Sequence, residues 1–161
     1  LPTPTYTPLA NITLGSSASS VSFSSIPASF RDLVLVIDGT ASVSTNVQVR
    51  FNGDSNNNYL YVAMYGNGST TSSFAESNIS SITQLALANY SSNTLTQIMD
   101  YSATDKHKTV LIRSNGGNGF VQATAGRWGS TSAITSMVLT SSGSGATFNS
   151  GSNFALYGIA S

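Results

Sequence analysis

Short apolar runs, each about the length of one strand, recur along nearly the whole chain and are separated by Asn, Gly and Ser. In Val47-Gln48-Val49-Arg50-Phe51 every second residue is apolar, the period that gives a strand one buried face. Leu33-Val34-Leu35-Val36-Ile37 is apolar at both parities, so it belongs in the interior of a sheet. Similar runs span 9–14, 20–24, 60–65, 84–88, 94–101, 109–113, 120–128, 134–140 and 154–159. Asn-Gly pairs at 52–53, 67–68, 115–116 and 118–119 supply residues that tolerate positive φ in tight turns. Helical signals are weak. Residues 77–88 are too rich in Ser, Thr and Ile to make a good helix, and Ile26-Pro27-Ala28-Ser29-Phe30 allows a single turn. Gly66 to Ser73 reads as a surface loop. So many strands and turns in 161 residues predict an all-β fold: one antiparallel β-sandwich domain over 9–161, wound as a jelly roll.

Ahead of it, Leu1-Pro2-Thr3-Pro4-Thr5-Tyr6-Thr7-Pro8 contains three of the four prolines. Proline fixes φ and removes a backbone donor, so 1–8 is expected to be an extended arm. Pro2, Pro4, Tyr6 and Pro8 are its candidate partner-binding residues, with Tyr6 as anchor.

Composition excludes several function classes. Charged residues are 7% of the chain, six basic against six acidic, which provides no basic face for nucleic acid or an anionic membrane. No apolar run approaches the ~20 residues that span a bilayer. The absence of Cys removes disulfides, thiol catalysis and Cys-ligated zinc.

Candidates for catalysis are few. His107 is the one histidine, and Lys106 and Lys108 beside it mark a solvated strand edge. Of the carboxylates, Asp32 and Asp38 share a strand face but stand roughly 20 Å apart, too far to flank one glycosidic bond. Asp54, Asp100 and Asp105 read as turn residues. Asp54-Ser55-Asn56-Asn57-Asn58 opens like a calcium loop, but Tyr59 and Tyr65 occupy the places that need Gly and Glu. The expectation is a protein with no enzymatic activity, cofactor or metal. A candidate ligand or interface surface comprises Asp54, Tyr59, Tyr61, Arg127 and Trp128, since aromatic faces beside polar groups suit both sugars and protein partners. The same parity of tyrosines can instead face the core.

Several strings resemble a known group. They are Ser22-Phe23-Ser24-Ser25-Ile26-Pro27, Phe51-Asn52-Gly53-Asp54 with Tyr59, and Asp100-Tyr101 leading to Lys108-Thr109-Val110. Arg127-Trp128-Gly129-Ser130-Thr131-Ser132-Ala133-Ile134 and Phe154-Ala155-Leu156-Tyr157-Gly158-Ile159 complete the set. Over about 9–160 they are similar to small virion-associated proteins of tailed phages, of the marine phage and cyanophage type. That group more often has a second basic residue where this chain has Gly129. The resemblance implies a β-sandwich structural protein of the virion. The expected function is capsid decoration, a cement protein bound to the major capsid protein or other virion proteins through the arm and a sandwich edge, as a homotrimer. The alternative is a carbohydrate- or receptor-binding module of a tail fibre or tail tip.

Overall fold

The computed structural model describes residues 4–43, 45–87, 90–116 and 119–160, with the backbone alone for 84–87. Twelve strands follow in chain order: β1 (Tyr6–Thr13), β2 (Ser20–Phe23), β3 (Asp32–Gly39), β4 (Thr45–Phe51), β5 (Tyr59–Gly66), β6 (Thr71–Ile79), β7 (Ile82–Leu87), β8 (Ser92–Met99), β9 (Lys108–Gly116), β10 (Phe120–Trp128), β11 (Met137–Ser141) and β12 (Asn153–Ile159). They form two antiparallel sheets packed face to face, a β-sandwich. The larger sheet runs β1-β12-β3-β8-β9-β10-β5-β6 and the smaller β2-β11-β4-β7. Without the hairpins β5–β6 and β9–β10, each sheet would have four strands; both hairpins extend the larger sheet beyond β8.

Alternation fixes which face is buried. Leu33, Leu35 and Ile37 of β3, Phe154 and Leu156 of β12, and Val110 and Ile112 of β9 point inward. Val47, Val49 and Phe51 of β4, Met137 and Leu139 of β11, and Val21 and Phe23 of β2 meet them from the smaller sheet. Each such side chain contributes about 1.5–3 kcal/mol on burial, which orders the strands that carry it. As its two-sided apolar pattern predicts, β3 lies within the sheet, between β12 and β8.

Close approach of the layers requires glycine where β12 passes Phe30, because a Cβ on Gly158 would run into the Phe30 ring. Asn52 and Gly53, at φ 53° and 68°, make the tight turn after β4, in a conformation that most side chains disfavour.

Three local expectations are corrected. The arm does not extend to residue 8: Tyr6, Thr7 and Pro8 pair in β1 with Ile159, Gly158 and Tyr157. Proline is tolerated there because β1 is an edge strand and the register shifts between Pro8 and Ala10. Pro4 is exposed outside the strand, while Pro2 lies outside the described residues. The loop expected at 66–73 ends at Thr70, and Thr71 opens β6. Around Pro27 there is no helical turn; the Pro27 carbonyl instead accepts the Tyr101 hydroxyl.

Candidate docking surface

Three of the residues singled out in sequence meet around the Asp54 carboxylate. Its Oδ2 accepts the Trp128 indole N–H at 2.7 Å and the Asn58 amide at 2.9 Å. Its Oδ1 accepts the Asn56 backbone N–H at 3.0 Å and the Asn56 amide at 2.9 Å. The Tyr59 hydroxyl donates to the Asp54 carbonyl and accepts from the Phe51 N–H, both at 3.1 Å. Trp128 stacks on Tyr59 at 6.3 Å and packs against Phe51 at 5.6 Å.

This is a packing knot under the β4–β5 turn. Trp128 is 2% exposed, and Tyr59 and Tyr61 are equally buried, so they present no ring face to a ligand. Both Asp54 oxygens are engaged by donors, Oδ1 in an Asx turn with the Asn56 N–H. Arg127 alone of the five is exposed, on the opposite face of β10. The expected surface of Asp54, Tyr59, Tyr61, Arg127 and Trp128 therefore does not form. The period-two parity that put Tyr59 and Tyr61 on one face put that face inside.

Electrostatics follow from the packing. Burial pushes the Tyr59 phenol up to about 12. At Asp54 burial pushes the carboxyl up, but the hydrogen bonds from Asn58, Trp128 and Asn56 outweigh it and hold the group below its ordinary value. A depressed carboxylate contributes stability above the unfolded pKa and loses it as pH falls through the folded one. Thermal melts should therefore decline in acid below about pH 4, and Asp54→Asn should flatten that decline. At neutral pH the same variant should lose about 1–2 kcal/mol, because a charged acceptor becomes a neutral one.

Lys108 is corrected as well: it is fully buried, not part of a solvated edge. It opens β9 on the inward parity, beside Trp128, and its ammonium donates to the carbonyls of Lys106 at 2.8 Å and Thr131 at 3.3 Å. Burial pushes its pKa down, and Asp105 and Asp100 pull it back up. His107 beside it is exposed.

The surface that stands out was not among the sequence candidates. In the larger sheet the two central rows facing away from the smaller sheet are also mostly apolar. Across β12-β3-β8-β9-β10-β5 one row reads Tyr157, Val34, Gln97, Leu111, Ala125, Val62. The adjacent row reads Ala155, Val36, Leu95, Arg113, Ala123, Met64. Val62 is 50% exposed, Met64 62% and the neighbouring Val121 57%. Arg113 separates a groove of about 340 Å³ towards Tyr6 and Tyr157 from an open cleft of about 820 Å³ towards Met64 and Val121. The smaller sheet's outward rows are mostly polar: Ser22, Val138, Arg50 and Ser20, Thr140, Gln48. An antiparallel sheet with a solvated outer face normally looks like the second case.

Apolar surface punctuated by Tyr, Met and Arg is the composition of a protein interface. Among known proteins, no family model and no curated sequence matches this chain.

Proposed function

We propose that the chain is a structural module of a tailed-phage virion that decorates the capsid, lying on the shell through the outer face of its larger sheet. The observation that carries this reading is the asymmetry of the sandwich. The two central outward rows of the larger sheet are mostly apolar across six strands and the outward rows of the smaller sheet are mostly polar, as expected of a module with one side covered and one in water. The sequence resemblance to small virion proteins supports the major capsid protein or its neighbours as the partner class. With the two hairpins set aside, the orders β1-β12-β3-β8 and β2-β11-β4-β7 support a jelly-roll winding, which is common in capsid domains. Near-neutral charge lets many copies crowd one particle without mutual repulsion. The glycan-binding alternative asks Tyr59, Tyr61 and Trp128 for an exposure they do not have.

Copy number tests the reading. Quantitative mass spectrometry of purified virions should find hundreds of copies per particle. A handful, localised to the tail, would overturn decoration in favour of a tail module.

A further inference from the structure

We infer that two copies of this chain join through β6, edge to edge, so that the two larger sheets become one continuous sheet about a twofold axis at Phe74. The inference concerns the isolated protein and does not depend on the capsid reading.

Among the described residues four strands end a sheet, and three of them are shielded. β1 has Pro8 and a register shift, β2 is four residues long, and β7 has six residues interrupted by a register shift between Thr83 and Ala86. β6 has no proline, and its one register shift lies at its far end, beyond Ser77. Its nine residues include no Pro, Lys or Arg, eight are exposed, and β5 alone pairs with it. A long unpaired edge of this kind is a template for another strand.

Its sequence fits a second copy of itself. Register with β5 is regular from Thr71 to Ser77 and breaks beyond, where Asn78 adopts φ 56°. The centre of that regular stretch is Phe74. Antiparallel pairing about it sets Phe74 against Phe74 of the second copy, Ser73 against Ala75, Ser72 against Glu76 and Thr71 against Ser77. The two Glu76 carboxylates then stand about 13 Å apart along the edge, beyond strong repulsion.

Phe74 supplies the anchor. Its ring meets Tyr61 at 5.8 Å and Tyr65 at 5.9 Å, and Tyr65 stacks on Phe120 at 5.2 Å. This aromatic cluster stops at Phe74, which is 40% exposed. A second Phe74 directly across the axis, within the reach of cross-strand pairs, closes it. Such a contact is isologous and ends at two copies, in place of the homotrimer expected from the sequence. It also doubles the area of the apolar outer face.

Sedimentation equilibrium of the full chain tests this. The wild type should approach twice the mass of a single chain as concentration rises. Ser73→Lys with Ala75→Lys, and separately Ser73→Glu with Ala75→Glu, put like charges opposite each other. Each double variant should stay at the single-chain mass with an unchanged melting temperature. Mixing the two variants should restore the double mass. Three results would overturn the inference: a wild type that stays at the single-chain mass, variants that pair as well as the wild type, or a mixture that does not pair.

Discussion

Trp128→Ala should lower the melting temperature by on the order of 10 °C. Truncating a buried Trp costs about 3–5 kcal/mol, and a domain of this size loses roughly 2–4 °C per kcal/mol. Trp128 warrants the upper part of that range. It is fully packed between Tyr59 and Phe51, and its indole N–H is a donor to Asp54. Without the ring, the Asp54 turn loses both its cover and its shortest hydrogen bond. Trp128→Phe keeps most of the packing and drops the donor, so it should fall between wild type and alanine. Differential scanning calorimetry orders the three. A Trp128→Phe protein with wild-type stability and a lost glycan affinity would mean that the ring serves a ligand after all.

Val62→Asp combined with Leu111→Asp should weaken attachment to particles by at least about a hundredfold while leaving the fold intact. Both residues lie in one outward row of the larger sheet and are about half exposed, so carboxylates there remain hydrated in the free protein. On a docked face they must be desolvated without partners, which costs several kcal/mol each. Roughly every ~1.4 kcal/mol of that cost removes a factor of ten in affinity. The matched control is Ser22→Asp with Thr140→Asp on the outward rows of the smaller sheet. It should co-sediment with particles like the wild type. Equal behaviour of the two double variants would remove the larger sheet's face from the mechanism.

What could be read in sequence follows from how each strand is stabilised. β3 and β4 announce themselves because side-chain burial orders them, and burial leaves a period in the sequence. β6 reads Thr-Ser-Ser-Phe-Ala-Glu-Ser-Asn-Ile and is exposed on both faces. It is held by its backbone ladder to β5, which no residue pattern records. Lys108 was legible in principle. Lys108, Val110 and Ile112 share a parity, and that parity is buried, but a charge at a strand start reads as solvated. The outer apolar face had no local signal. Val34, Leu111, Ala125 and Val62 come from four strands, and register alone lines them up. Tyr59 and Tyr61 were visible as a same-face pair, but parity does not say which face is inside.

Methionine oxidation tests the proposed docking face directly, because two of the three methionines lie on that face and the third lies in the core. Met64 and Met99 are exposed on the outer face of the larger sheet, at 62% and 40%, while Met137 is fully buried between the sheets. Sulfoxide formation follows exposure. In free protein a brief peroxide treatment should oxidise Met64 and Met99 and spare Met137. On the virion, Met64 and Met99 should become as resistant as Met137, with peptide mass spectrometry reading all three at once. Oxidation of Met64 and Met99 at the same rate on the particle as in solution would contradict docking through this face.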